Sequence, residues 1–514
     1  MRVASLVVAV TLTHAAAQGT APATAPSTAV VTPPEQGVWY EIFVRSFQDS
    51  DGDGVGDLNG VRQRLPYLAE LGVTGIWLMP IHPSPSYHGY DVEDYYGINP
   101  DYGTLEDFQR LLDEAHDLNV RVIIDFVPNH SAVTHPWFIA AASGDPAFRD
   151  YYVWSDDPPD WRGTRGGSAW HVGPDGSSYL GLFSGGMPDL NVRNPAVRRE
   201  LEEIARYWLA MGVDGFRVDA IQHIIESDTG AIANTQETYQ WVAEFQSFVN
   251  RVAPGALVVG ETWTEMPAIV RYHQAGLDMS FDYPLWREIL AALQARSASD
   301  LAFTVAQEQD LYPDDAWRGT FIGNHDQTRV ATLFSLPRRD ERRLKLAASL
   351  LLTLPGTPFI YYGEEIGMAD GPGGGDLAKR LPMRWDAGDD FGFSDAPSWA
   401  DPGAAIEGLS VEEQRADPDS LWWHYRRLIA LRRIHPALYE GSTTVVDVGD
   451  RAVLAMVREA ADERLLVLAN LAARDATLDL SALVGGDAVD ILNGETIGQD
   501  VVVPSLSLRV VCLP

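Results

Sequence analysis

Short apolar runs, several of them nearly continuous, recur along the chain from Gly37 onward and alternate with stretches of helical period. Eight of them read as strands: "GVWYEIFVRSF", "GVTGIWLMP", "VRVIIDFVPNH", "VDGFRVDA", "ALVVGETW", "MSFDYP", "GTFIGNHD" and "GTPFIYYGEE". Continuous apolar character is the mark of strands covered on both faces, as in a parallel sheet. Between most of them lie amphipathic segments such as "TLEDFQRLLDEAHDLN" and "NPAVRRELEEIARYWLAMG". The second opens on Asn194 before Pro195, an N-cap and first-turn pair, and stops at a glycine. Eight strands with intervening helices predict an α/β fold, a (β/α)8 TIM barrel.

Two departures from this rhythm set the domain organisation. Between Asn129 and Val213 lies a stretch rich in Trp, Gly, Pro and Asp. A structureless loop of that length does not suit a compact barrel, so residues 131–190 are expected to form a small inserted domain after the third strand. The barrel then comprises residues 37–130 and 191–436. Beyond it the pattern turns to short alternating runs, "TTVVDV", "AVLAMVRE", "RLLVLANLA" and "VVVPSLSLRVVCLP". These predict a C-terminal all-β sandwich over residues 437–514. At the other end, Arg2, an apolar run from Val3 to Leu12 and small residues ahead of Ala17 read as an export signal over residues 1–17. An Ala/Thr/Pro linker follows over residues 18–36. The expected product is a secreted, extracellular or periplasmic protein with no stable membrane anchor.

Composition narrows the partners. With 38 basic against 72 acidic residues the net charge is −34, which repels nucleic acid and anionic membranes. Only two of the basic residues are lysines, Lys345 and Lys379. This fits either a salt-adapted surface or, more simply, a compositional bias toward arginine. The single cysteine, Cys512, excludes an internal disulfide framework and any multi-cysteine metal site. A monomer acting on a small or polymeric neutral substrate is the expectation.

In a barrel of this kind catalysis belongs at the C-terminal ends of the strands. There "DFVPNH" places Asn129 and His130, "GFRVDAIQH" places Arg217, Asp219 and His223, "GETW" places Glu261, and "FIGNHD" places Asn324, His325 and Asp326. Any one of these is explained as a strand-end cap or an ion-pair partner. The full set on one rim is not. Two carboxylates across a bound sugar suit glycoside hydrolysis, one at the anomeric carbon and the other donating a proton to the leaving oxygen. Arg217 points the same way as Asp219 because side chains alternate along a strand, and it favours an ionised aspartate. Neighbouring negative charge is expected to raise the pKa of Glu261.

A second cluster follows the first strand: "DSDGDGVGDLNG", Asp49 to Gly60. Counted as an EF-hand it supplies acids at positions 1, 3 and 5 and glycine at 6. It fails at position 12, which is Gly60 where a bidentate Glu is needed. The β-run ahead of it fails too, since an EF-hand needs a helix there. Asp49, Asp51, Asp53, the Val55 carbonyl and Asp57 remain as hard oxygen ligands for one Ca²⁺. Without a cation the stretch is a solvated acidic loop with glycine turns.

These four strand-end stretches, in this order, resemble the four sequence regions of the α-amylase family, glycoside hydrolase family 13. "MPDLN" (Met187 to Asn191) resembles the family's fifth region, in the form found between the oligo-1,6-glucosidase and neopullulanase groups. The resemblance runs from about Val38 to the C-terminus and implies a retaining double displacement. It assigns Asp219 as nucleophile, Glu261 as general acid/base and Asp326 as transition-state stabiliser. It places Arg217 beside the nucleophile, His130 and His325 in subsite −1, and Tyr90 of "YHGYDVEDYY" as the aromatic platform under the −1 sugar. Asp91 and Arg380 resemble the pair that grips the non-reducing end in exo-acting relatives, the alternative being a plain ion pair. His223 falls toward subsite +1, or only orients its loop. The family also implies a structural Ca²⁺ in the loop after strand one, and Asn129 resembles a ligand of a second, interdomain calcium. The expected activity is that of an α-amylase on α-1,4 bonds of starch and maltooligosaccharides. The alternative is an α-glucosidase or glucosyl-transferring isomerase on short sugars. A non-catalytic sugar-binding barrel would need a missing carboxylate, and none of the three is missing.

Overall fold

A computed structural model describes residue 33 and residues 36–334, 339–484 and 488–513. The export signal over 1–17 and nearly all of the linker over 18–36 lie outside the described residues. Eight parallel strands are present: β1 (Trp39–Ile42), β2 (Gly75–Leu78), β3 (Arg121–Phe126), β4 (Gly215–Val218), β5 (Leu257–Gly260), β6 (Met279–Phe281), β7 (Trp317–Thr320) and β8 (Thr357–Tyr361). They close into a barrel in the order β1-β8-β7-β6-β5-β4-β3-β2.

Alternation along each strand divides the core in two. Trp39, Trp77, Ile123, Leu257, Val259, Met279, Phe281 and Phe359 form one buried cluster that fills the barrel. The residues between them, among them Tyr40, Ile42, Ile76, Leu78, Val122, Ile124 and Phe216, join the larger cluster beneath the helices. Burial on both faces is why these strands read as unbroken apolar runs. Gly215 is the register partner of Leu257 where β4 pairs with β5. Its φ is +146°, and a Cβ there would stand 1.9 Å from the Leu257 carbonyl oxygen.

The helices begin where their caps sit. Leu105–Asp117 opens on a reciprocal capping box between Thr104 and Asp107. Pro195–Met211 is capped by the Asn194 side chain and ends at Gly212, in the left-handed region at φ 106°. The segment after β3 carries a helix, Pro136–Ala142, and a three-stranded sheet of Trp154–Ser155, Ser178–Leu180 and Trp170–Val172. Its two ends are tied together by the isolated bridges His130–Asp189 and Tyr152–Leu190. After a short helix, Pro436–Tyr439, the remaining chain forms a six-stranded sheet and a two-stranded one, Ala476–Asp479 with Asp500–Val503. Between them lies a core of its own that includes Leu466, Leu468, Leu478 and Val503. Among the described residues no helix is long and apolar enough to cross a membrane.

One strand is shorter than its sequence suggests. The run "GTFIGNHD" predicts a strand reaching Asp326, but β7 ends at Thr320. Asn324, His325 and Asp326 therefore ride on the loop beyond it, where the Asn324 side chain accepts the backbone N–H groups of Asp326 (2.9 Å) and Gln327 (3.1 Å).

Candidate active site

The inward alternation that packs the barrel also builds the site. Two residues on from interior Ile123 and Gly215 stand Asp125 and Arg217, register partners across β3 and β4. The Arg217 side chain is 1% exposed and its guanidinium holds three carboxylates. Nη1 donates to Asp125 (2.7 Å) and Asp219 (2.6 Å), and Nη2 lies 2.9 Å from Glu261. Burial disfavours the charge on Arg217, but Asp125 and Glu261 outweigh it and raise the pKa well above the ordinary value. The second oxygen of Glu261 accepts the backbone N–H of Ala220 at 2.8 Å. Ala220 has φ 48° and ψ 31°, a left-handed conformation rare for a non-glycine residue, and it follows Asp219 directly.

Glu261 is raised from 4.5 to about 7. Burial is the main cause, with Asp219 and Asp326 adding to it while Arg217 and the Ala220 N–H oppose. The expectation that neighbouring negative charge does this is therefore corrected: desolvation leads and charge is secondary. Asp125, also buried, is raised to about 6 by burial against the pull of Arg217. Asp125 opens the same "DFVPNH" stretch that carries Asn129 and His130 and was not among the expected site residues. The available signal was an acid at an inward position of an otherwise apolar strand.

A second network meets the first at Tyr90. The Tyr90 hydroxyl lies 2.7 Å from His325 Nε2 and 3.2 Å from Asp125, and its ring stacks on His325 at 5.5 Å and 20°. His325 Nε2 is also 3.2 Å from Asp326, while Nδ1 is 2.6 Å from Glu41. Burial works against the charged ring, but Asp326 and Glu41 outweigh it and raise His325 to about 9. Asp326 also takes Arg380 Nη2 at 3.0 Å. Burial alone would raise its pKa, yet His325 and Arg380 bring it well below the usual carboxylate range. Its side chain remains 31% exposed, open toward solvent, whereas those of Asp219 and Glu261 are 10% and 11% exposed.

Asp91 and Arg380 do not form the plain ion pair that was the alternative for them. Asp91 accepts the Ser84 hydroxyl (2.6 Å) and the Ser86 hydroxyl and faces His88, while Arg380 is taken by Asp326 and the His325 carbonyl (3.2 Å). His130, 1% exposed, places Nδ1 2.9 Å from the Asn129 side chain. Asn129 in turn donates to the His223 carbonyl at 2.6 Å. His223 meets Phe183 edge-on and rests on the Ile232 carbonyl (2.7 Å). Burial lowers the pKa of both histidines.

In the acidic loop, Asp49, Asp51 and Asp57 bring one oxygen each to within 4.8 Å of one another. Asp53, also expected as a ligand, stands outside that trio, and its side chain accepts the Val55 N–H at 2.8 Å. Asp49 accepts three backbone N–H groups and the Ser394 hydroxyl (2.5 Å). Asp57 caps the helix Leu58–Leu71 through the Gly60 N–H. Three converging carboxylates, one of them exposed, fit a hard divalent cation.

Residues 41–441 match the alpha amylase catalytic domain, and residues 443–503 match the maltogenic amylase C-terminal domain. Alpha-amylase 3 of Dictyoglomus thermophilum is 38% identical over 93% of this chain and 93% of its own. Trehalose synthase of Thermus thermophilus is 36% identical over 86% of this chain and 51% of its own. Among solved structures, alpha-amylase from H. orenii superposes with a TM-score of 0.83 at 37% identity, covering 94% of this chain and all of the other.

Proposed function

The chain belongs to the α-amylase family, glycoside hydrolase family 13, and from that membership we propose a secreted, retaining α-glucan hydrolase that cleaves α-1,4-glucosidic bonds of starch and maltooligosaccharides. The observation that carries this is the shared guanidinium: Asp219 and Glu261 both bind Arg217, at 2.6 and 2.9 Å. Two carboxylates gathered on one guanidinium suit the close pairing of a double displacement. Their surroundings also differ, since Glu261, at about 7, keeps a proton to give near neutrality. Asp219 attacks the anomeric carbon as the Glu261 proton passes to the glycosidic oxygen, which leaves with the bond pair. Glu261 then takes a proton from water, whose oxygen attacks the same carbon and frees Asp219. Asp326, held between His325 and Arg380, presents its exposed oxygens to sugar hydroxyls, and Tyr90 offers the flat face beneath the ring.

The polymer-degrading reading is supported by the higher identity to two proteins named α-amylases, 38% and 37%, against 32% for glucan 1,6-alpha-glucosidase of Streptococcus pneumoniae. The trehalose synthase at 36% identity keeps glucosyl transfer on short sugars as a second reading. A product time course on soluble starch and maltose separates them. Internal cleavage of starch supports the amylase; release of glucose from chain ends alone, or conversion of maltose to another disaccharide, overturns it. Asp219→Ala removes the nucleophile, and turnover of starch near the parent rate would refute the mechanism. Asp49, Asp51 and Asp57 would hold a Ca²⁺ that braces the loop after β1, where the three converging carboxylates otherwise repel one another. Export follows from the leader over 1–17, and N-terminal sequencing of the protein recovered outside the cytoplasm tests it.

A further inference from the structure

Glu41 is a carboxylate in the middle of an apolar strand, 2% exposed, and the mechanism above leaves it without a task. By alternation it faces inward two residues after Trp39, with register partners Trp77 on β2 and Tyr361 on β8. Its side chain reaches His325 twice, the ring at 2.6 Å and, more weakly, the backbone N–H at 3.4 Å. The other ring nitrogen stands 3.2 Å from Asp326 and 2.7 Å from the Tyr90 hydroxyl.

We propose that Glu41 is a positioning residue of the reaction, holding the His325 ring in place with both nitrogens protonated so that Nε2–H is a donor on the substrate side of the site.

The contacts favour this state. Nδ1 faces Glu41 at 2.6 Å and Nε2 stands 3.2 Å from Asp326, and carboxylate oxygens only accept, so both nitrogens are placed to donate. With Nε2–H donating, the Tyr90 hydroxyl accepts from it and is free to donate to Asp125 at 3.2 Å, where Trp77 Nε1 also donates at 3.1 Å. A neutral ring protonated only at Nδ1 would turn an Nε2 lone pair toward Asp326 and draw the Tyr90 hydrogen away from Asp125. Asp326 would then keep only Arg380 as a charged partner. The groups facing the ring are Glu41 from β1, Trp77 from β2, Tyr90 from the loop after β2 and Asp326 beside it. Asp125 and Arg217 stand one step further along the chain of contacts, and Arg380 donates to the His325 carbonyl. Burial opposes the imidazolium, and the two carboxylates overcome it.

The consequence lies in pH dependence. In the parent, Glu261 at about 7 governs the alkaline limb of kcat/KM, and His325 at about 9 loses its proton only after that. Glu41→Gln keeps the shape but removes one of the two negative charges beside the ring, which lowers the His325 pKa toward that of Glu261. Two protons are then lost together, and the fall of log kcat/KM above pH 7 steepens from a slope of about −1 to about −2. The expected loss of kcat/KM relative to the parent is at least about tenfold larger at pH 8.5 than at pH 5.5. A purely structural role for Glu41 lowers the rate by one factor at every pH, and that result would overturn the proposal.

Should the variant not fold, histidine-labelled parent protein decides by NMR. The His325 signal is identified by its loss in His325→Asn. A ring still protonated at pH 8 supports the proposal; one titrating at or below pH 7 refutes it. The inference rests on the glycosidase reading of the site, which Asp219→Ala tests separately, whereas the NMR titration reports on the His325 ring between Glu41 and Asp326, apart from any turnover.

Discussion

Glu261→Gln is expected to make the protein's stability less sensitive to alkaline pH while disabling it. The fold moves Glu261 from an ordinary 4.5 to about 7, a difference worth about 3 kcal/mol between the two protonation states. Because the folded pKa is raised, the folded state binds the proton more tightly than the unfolded chain does. That contribution is complete below pH 4.5, is lost progressively as pH rises, and is gone above pH 7. At pH 8 the parent therefore carries an ionised, buried Glu261, and an amide that cannot ionise escapes this cost. The substitution has its own penalty, since one oxygen of Glu261 accepts from Arg217 and the other from the Ala220 N–H. An amide satisfies only one of these donors, but that loss does not change with pH and cancels when two pH values are compared. At roughly 2 cal/mol/K per residue, unfolding the described chain carries an entropy near 1 kcal/mol/K, so the 3 kcal/mol appears as about 3 °C. The assay is the melting temperature of variant and parent at pH 4.5 and pH 8, with starch hydrolysis falling by about 10²–10⁴ for loss of the proton donor. A difference between variant and parent that is the same at both pH values would refute the claim that burial, rather than some fixed contact, sets the ionisation of Glu261.

Two further outcomes test other parts of the molecule. Thorough chelation should lower the melting temperature, and Asp51→Ala, which removes the exposed member of the acidic trio, should leave the protein less responsive to added Ca²⁺; an unchanged melting temperature after chelation counts against bound calcium. Gly215→Ala should cost more than about 3 kcal/mol and sharply reduce soluble yield, because its Cβ would strike the Leu257 carbonyl at a φ that side chains rarely adopt; a variant melting within a few degrees of the parent would show that β4 and β5 separate more easily than the register implies.

The eight strands were legible because a barrel interior and a helical layer both demand apolar partners, leaving runs such as "VRVIIDF" with no polar face to confuse the period. The helices were legible at their ends, where Asn194 with Gly212 and Thr104 with Asp107 carry the capping chemistry in residue identity. Asp219, Glu261 and Asp326 were legible because strand ends of this fold converge on one rim. What escaped was the layer of side chains just beneath that rim. Glu41 and Asp125 sit in apolar strands, and a lone acid in such a run reads as an accident until its inward parity is counted from Trp39 or Ile123. The left-handed Ala220 has no sequence mark at all, because its conformation is imposed by the neighbours that turn its N–H onto Glu261.

The acidic loop shows the opposite failure, in which sequence promised more ligands than converge. Alternate aspartates suggest a ring of oxygens, but three of the four converge, and short acidic side chains in a glycine turn also serve the backbone, Asp49 and Asp57 within the trio and Asp53 outside it. The same competition decides the rim. Asp91 matched Arg380 on paper as an ion pair, yet two serine hydroxyls within seven residues occupy it, and Arg380 is taken by Asp326. Charge pairing across a site is thus set less by which ions are present than by which local donors reach them first. Glu261 stands at the limit of this rule: although it shares one guanidinium with two other carboxylates, burial still raises it to about 7, so it is able to give a proton away near neutrality.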